Sequence, residues 1–303
     1  MGAAFKKIGE FEQLAADPES RVSNYAAMVN EYYNLVGRIY ERGWGPSHHF
    51  PIYRGKRDRH EATRATECEL ADIGCFSPNM KILDVGSGIG GPAMTIAAYS
   101  GAHVTGVEIV ESRVDTARVT AMKKGLTENT SFQVGDVMRL AFNDASFDAA
   151  YSFEALCHTP DKVAAYRGVI RVLRPGGVFI GYDWLRAETL TAEDERRIEN
   201  ICRCHAIPYL NTLARTHANL AVAGFDVITV CDAALRGDVA QNWVSLRKSV
   251  NKTRMLPTVA QPRVLRMMTR GAEALCDAGT TGAFLIGFFH ARRPINCAVS
   301  APF

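Results

Sequence analysis

At 303 residues, with 47% hydrophobic and 22% charged side chains, the chain is long enough to bury a full core and too apolar to be disordered. A formal charge of +3 over 35 basic and 32 acidic residues excludes the concentrated basic footprint of a nucleic-acid binder, so the expected partner is a small molecule. The eight cysteines (Cys68, Cys75, Cys157, Cys202, Cys204, Cys231, Cys276 and Cys297) make no paired C-x-x-C elements and read as reduced thiols, and the cluster Cys202, Cys204, His205 lacks a second ligand pair, so no metal is expected. The opening Met1-Gly2-Ala3-Ala4-Phe5-Lys6-Lys7 lacks the apolar run of a signal peptide, and no run of about 18 apolar residues is present, which predicts a cytoplasmic chain with no transmembrane segment.

Residues 1–22 are mixed in character, and Asp17-Pro18-Glu19-Ser20 reads as a break that opens a helix. Tyr25, Met28, Val29, Tyr32, Tyr33, Val36, Ile39 and Tyr40 then recur at three- and four-residue intervals, an amphipathic helix that must pack on something, a neighbouring subunit included. Gly43-Trp44-Gly45-Pro46 stops it, an irregular stretch follows through His48, His49, Phe50 and Tyr53, and a second helix is predicted over 59–72. Beyond it, short apolar runs at 81–85, 103–107, 131–134, 147–152, 178–182, 227–230 and 283–291 predict strands. Helix-length segments at 92–99, 111–124 and 160–173 separate the first five, the alternation of a doubly wound α/β sheet, and Arg174-Pro175-Gly176-Gly177 reads as the turn from the last of them into a strand. Two stretches, 185–220 and 235–280, do not fit the alternation and are expected to cover the ligand crevice as a lid.

The strongest motif is Ile82-Leu83-Asp84-Val85-Gly86-Ser87-Gly88-Ile89-Gly90-Gly91-Pro92, a strand running into a glycine turn and a helix, which brings free N–H groups close to a ligand. The same spacing resembles a dinucleotide loop and leaves a dehydrogenase open. Asp84 argues otherwise, because a carboxylate inside the loop repels phosphate and suits a cationic ligand. Glu108, twenty residues beyond Gly88, ends the second strand, where it can take ribose hydroxyls, and Asp136 ends the third, where it can take an adenine amine.

The glycine block, the run Phe147-Asp148-Ala149-Ala150-Tyr151 and the segment Arg171-Val172-Leu173-Arg174-Pro175-Gly176-Gly177 together resemble class I S-adenosylmethionine methyltransferases. More narrowly, Tyr40-Glu41-Arg42-Gly43-Trp44-Gly45-Pro46-Ser47-His48-His49-Phe50 is similar to the aromatic signature of the sterol 24-C-methyltransferases, and Glu154-Ala155-Leu156-Cys157-His158 to their E-A-x-C-H. The resemblance implies a Rossmann-like sheet of seven strands with the last antiparallel, a helical extension and substrate cap over 1–75, and a cofactor-binding domain over 76–303 with lids after strands 5 and 6. It implies S-adenosylmethionine as cofactor, held by Asp84, Gly86, Ser87, Gly88, Gly90, Glu108, Ile109, Asp136, Val137 and Phe153. The chain departs from the sterol enzymes at Glu108, where they carry an uncharged polar residue, and over 185–280. The acceptor implied is therefore an isoprenoid double bond, on a sterol side chain or on a prenylated metabolite as in teleocidin biosynthesis.

Methylating an alkene leaves a carbocation, which aromatic faces stabilise by roughly 0.5–2 kcal/mol each when desolvated. Tyr40 and Trp44 are expected to serve this way, with Tyr25, Phe50 and Tyr53 lining the substrate pocket. The proton must then leave, and Glu154 and His158, four apart and on one face if their segment is helical, are the expected acceptors, with His49 a further one. An O- or N-methyltransferase of a small apolar product is the alternative. Ordinary core packing accounts equally for isolated aromatic residues.

Overall fold

The computed structural model describes residues 2–55, 58–255 and 262–295. The apolar runs form β1 (Lys81–Val85), β2 (His103–Glu108), β3 (Thr130–Val134), β4 (Phe147–Phe153), β5 (Leu173–Arg186), β6 (Asp226–Asp232) and β7 (Phe284–Arg292), joined in one sheet of order β3-β2-β1-β4-β5-β7-β6. The first five pair in parallel, while β7 runs antiparallel to both β5 and β6. The chain order reverses between β1 and β4, the topological switch at which open α/β sheets bind ligands beyond their carboxyl edge.

The connecting helices α4 (Arg59–Ile73), α5 (Gly91–Ser100), α6 (Glu111–Lys123), α7 (Lys162–Val172) and α9 (Leu213–Val222) cover the two faces. Alternate residues of the buried strands feed two cores: Ile82, Val104 and Tyr151 one, Leu83, Val85 and Ala150 the other. The remaining helices, α1 (Gly2–Leu14), α2 (Pro18–Ser23), α3 (Tyr25–Trp44), α8 (Ala192–Cys204), α10 (Ala240–Arg254) and α11 (Arg263–Thr281), gather over the carboxyl edge.

Four local expectations need correction. The mixed stretch 1–22 holds a full helix, α1, because Ile8, Phe11 and Ala15 bury against Met28, Val29, Tyr32 and Val36 of α3. β5 begins at Leu173, which already pairs with Phe147; Arg174-Pro175-Gly176-Gly177 is an irregularity inside the pairing, turned by Gly176 at φ +82°. The segment 185–220 is only partly a cover: α8 packs on α11, but α9 lies against β6 and α7 as an ordinary helix of the sheet layer. The segment around Glu154 is not α-helical; Glu154 itself sits at φ +53° and a 3₁₀ turn, Leu156–His158, follows. Cys297 and residues 256–261 of the expected 235–280 insertion lie outside the described residues. No helix among the described residues is long and apolar enough to cross a membrane.

Candidate active site

The carboxyl ends of β1, β2 and β4 and the loop after β3 open on a cavity. Its floor is the glycine turn, in which Gly86 and Gly88 have φ of +79° and +56°. A Cβ on Gly86 would lie 2.2 Å from the Cβ of Ala155, which excludes a side chain sterically as well as conformationally; at Gly88, where a Cβ would meet only the far end of the Arg113 side chain, the positive φ is the bar. Asp84 is 1% exposed and lines the cavity, with the buried Tyr151 hydroxyl beside its carboxyl. Burial, with Glu108 and Glu67 adding to it, pushes its carboxyl up to about 8. Glu108 accepts from the N–H groups of Gly88 and Val110, each at 3.0 Å, and Arg113 lies 3.6 Å away. Asp136 accepts from Met138 N at 2.8 Å and from the Tyr25 hydroxyl. A buried acid on the cavity wall, a cradle that a Cβ would fill and two oriented carboxylates with lone pairs to spare match the ammonium, backbone and nucleoside of S-adenosylmethionine. Ser87, Ile109, Val137 and Phe153 complete the wall.

A second cavity lies beneath α3, α10 and α11. Tyr40, Trp44, Phe50 and Trp184 form an aromatic wall, with ring centroids 5.9 Å apart for Tyr40–Trp44, 5.1 Å for Trp44–Phe50 and 5.7 Å for Phe50–Trp184. Leu246, Val250, Leu265, Met268 and Leu275 supply an aliphatic wall opposite. No Lys or Arg lines it among the described residues. Tyr33, His48, Glu154 and His158 line both cavities and so form the neck between them.

The neck is polar and its protons are fixed by its partners. Glu154 accepts from Phe50 N at 2.9 Å through Oε1 and from the Trp184 indole at 2.5 Å through Oε2, and burial pushes it up to about 7. Nδ1 of His158 lies 2.9 Å from the Ala206 carbonyl, which only accepts, so Nδ1 carries the proton and Nε2 offers its lone pair to the Tyr33 hydroxyl at 3.0 Å. Burial lowers His158 to about 4, so the ring is neutral near pH 7. His48 is lowered to about 3 by burial and by Arg113, donates through Nε2 to Gly45 O at 3.0 Å and accepts through Nδ1 from Arg113 at 3.3 Å.

Several expected residues stand elsewhere. Tyr25 faces the cofactor cavity, not the acceptor cavity, because its hydroxyl reaches Asp136. Tyr53 lines neither; its backbone bridges to Asp238, which ties the loop down. His49 stacks on Phe153 at 4.3 Å beside the cofactor cavity, but its nitrogens are engaged by Phe50 O and Glu67 Oε1, each at 3.2 Å, and it does not line the second cavity. Gly90 does not line the cavity: it precedes α5 at φ +83°, and a Cβ there would meet the Phe132 ring at 2.8 Å. Tyr33, Arg113, Glu67 and Trp184 were not anticipated. Tyr33 registered only as one point in a helical period, and the one hint to Arg113 was its place five residues beyond Glu108. No cluster of His, Cys, Asp and Glu among the described residues is placed to hold a metal ion.

A family profile for a methyltransferase domain matches residues 76–224. A 24-methylenesterol C-methyltransferase 2 of Oryza sativa subsp. japonica is 39% identical over 265 residues, covering 86% of this chain and 72% of that one. A cycloartenol-C-24-methyltransferase of Arabidopsis thaliana is 32% identical over 95% of this chain and 94% of its own. Other curated relatives are longer, the chain spanning 58–63% of their length. Among solved structures, a geranyl diphosphate C-methyltransferase from Streptomyces coelicolor A3(2), in complex with Mg²⁺, geranyl diphosphate and S-adenosyl-L-homocysteine, superposes with a TM-score of 0.70 at 16% identity, covering 89% of this chain and 97% of that one. That likeness speaks to the fold. The identity held along nearly the whole of the Arabidopsis relative speaks to descent, and by it the chain belongs to the sterol C-methyltransferases, a family of S-adenosylmethionine-dependent enzymes.

Proposed function

We propose that the chain transfers a methyl group to a double-bond carbon of a neutral isoprenoid, a sterol side chain or a prenylated metabolite, and directs the loss of a proton from the resulting cation. The observation that carries this reading is the shared neck: a glycine-floored cavity for a charged nucleoside meets, through Tyr33, His48, Glu154 and His158, an aromatic-walled cavity with no Lys or Arg among its described lining residues. S-adenosylmethionine, when bound, supplies an electrophilic methyl. Asp84, Glu108 and Asp136 hold its polar groups, and the Gly86–Gly88 backbone sets its depth. The second cavity aligns the alkene and excludes water, which supplies most of the help an alkene needs.

Charge then develops on the acceptor carbon. Tyr40, Trp44 and Phe50 line the cavity around it, Trp44 with the Arg59 guanidinium 4.0 Å from its ring centre, and Glu154, its oxygens fixed by Phe50 N and the Trp184 indole, offsets it electrostatically. His158 is the proton acceptor by geometry, since its protonated Nδ1 is committed to Ala206 and its lone pair turns toward the neck through Tyr33. The absence of Lys and Arg from the described acceptor wall favours a neutral lipid over a prenyl diphosphate. Incubation with methyl-labelled S-adenosylmethionine and a panel of Δ24 sterols, prenyl diphosphates and prenylated indoles tests the proposal. Label on carbon in a neutral isoprenoid is expected; label on oxygen or nitrogen, or turnover confined to diphosphates, contradicts it.

A further inference from the structure

Lys162 opens α7 directly after its N-cap Asp161, whose carboxylate accepts from Ala164 N at 2.9 Å. A cation at this end of a helix opposes the helix dipole, and this one is only 2% exposed, so the position is unfavourable on two counts. What offsets it is hydrogen bonding. The ammonium donates to the carbonyls of Leu156 at 2.6 Å, Cys157 at 3.0 Å and Thr159 at 2.6 Å, which uses all of its protons on a single turn. From the other side, the carboxylate of Asp183 accepts from Cys157 N at 2.9 Å. Held between the two is the 3₁₀ turn Leu156–His158, whose own backbone bonds, His158 N to Ala155 O at 3.2 Å and Thr159 N to Leu156 O at 3.0 Å, are too few to fix a turn that follows a residue at positive φ.

We propose that Lys162 is a positioning residue: by clamping the carbonyls of residues 156, 157 and 159 it fixes the backbone from which His158 projects, so that Nδ1 stays on Ala206 and Nε2 stays on Tyr33 at the neck. Its role in turnover rests on the alkene reading above, but the clamp itself is measured independently of any acceptor. The same ammonium adds to burial in keeping the imidazole of His158 neutral.

The test uses the full chain with ¹⁵N-labelled histidine, His158 being assigned by its loss in His158→Gln. In the wild type, long-range ¹H–¹⁵N spectra should show His158 as one tautomer, protonated at Nδ1. Lys162→Met keeps the aliphatic stem and removes the donors. In it, the His158 pattern should move to the averaged shifts of a freely exchanging imidazole while His48 and His205 stay put. Turnover of a neutral alkene should fall by about a hundredfold, the scale of an ångström's misplacement. Lys162→Gln, neutral but still a donor, should recover part of both. An unchanged His158 pattern in Lys162→Met overturns the proposal, and so does a wild-type spectrum in which His158 is not held as the Nδ1-protonated tautomer, a result read without any variant. Should the wild type methylate no alkene, the functional reading fails while the comparison of imidazole spectra still decides this one.

Discussion

Gly86 is where the cofactor floor and the catalytic turn touch, and Gly86→Ala tests that contact quantitatively. Two penalties add. Alanine at φ +79° bears the left-handed strain of an L-residue, about 1–2 kcal/mol. Its Cβ would also sit 2.2 Å from the Ala155 Cβ, an overlap relieved only by moving the turn that carries Glu154 and His158, at about 1–3 kcal/mol for overpacking. Together they predict about 2–5 kcal/mol of destabilisation, and at about 2 °C per kcal/mol for a chain of this size a fall in Tm of about 4–10 °C. The partition is the sharper test. Ala155→Gly removes the atom that the new methyl meets, so the double variant should recover the overlap and leave the strain, giving a favourable coupling of about 1–3 kcal/mol in a double-mutant cycle of calorimetric melting. S-adenosylhomocysteine affinity should be largely restored in the same protein. Strictly additive effects would show that loop and turn do not meet, and the reasoning that joins cofactor depth to the catalytic turn would fail.

Other consequences are checked more simply. Glu154→Gln should lower turnover of the preferred alkene by about 10²–10³, the range for losing one positioned electrostatic stabiliser, with S-adenosylhomocysteine binding retained; full turnover would exclude the carboxylate. The same variant has a thermal signature. Burial holds Glu154 at about 7 and Asp84 at about 8, above their unfolded values, so the folded chain keeps protons that the unfolded chain has released. Their contribution is fully present below the unfolded values and is lost as pH rises through about 7 and 8. Tm should accordingly fall less between those limits in Glu154→Gln than in the wild type, and a steeper fall would contradict the assignment. Tyr25→Phe removes the hydroxyl that α3 extends to Asp136 and should weaken S-adenosylhomocysteine binding about fivefold, the worth of one hydrogen bond near 1 kcal/mol; unchanged affinity would detach α3 from the cofactor site. Trp44→Ala should reduce turnover while leaving cofactor affinity intact, since Trp44 lines only the second cavity.

The inner sheet was legible because β1 and β4 are buried on nearly every residue and read as apolar runs, the run 81–85 coinciding with β1; the runs at 103–107 and 131–134 fall one residue short of β2 and of β3, whose burial alternates toward the sheet edge. The glycine turn was legible because positive φ leaves a residue-type signature. Features set by long-range packing were hidden. α1 owes its burial to α3, and nothing in the composition of residues 1–22 shows that partner. Glu154 and His158 are four apart in sequence as on a helix, yet they meet at the neck through a strained residue and a 3₁₀ turn, held by groups as distant as Ala206, Trp184 and Phe50. Aromatic residues gave the poorest guide: Tyr40, Trp44 and Phe50 reach the acceptor cavity, whereas Tyr25 and Tyr53, similar in sequence setting, are drawn away by Asp136 and by pairing with Asp238. Arg113 could not be foreseen, because its importance lies in contacts from α6 to Tyr33, His48 and Glu108, which stand on three other segments.

The central claim is best tested by a crystal structure with S-adenosylhomocysteine and a neutral isoprenoid bound together. The account predicts the sulfur in the neck between Glu154 and His158, the amino acid over Asp84, and the alkene against Trp44 and Phe50. A nucleoside bound away from the Gly86–Gly88 turn, or an isoprenoid that does not reach the neck, would contradict it.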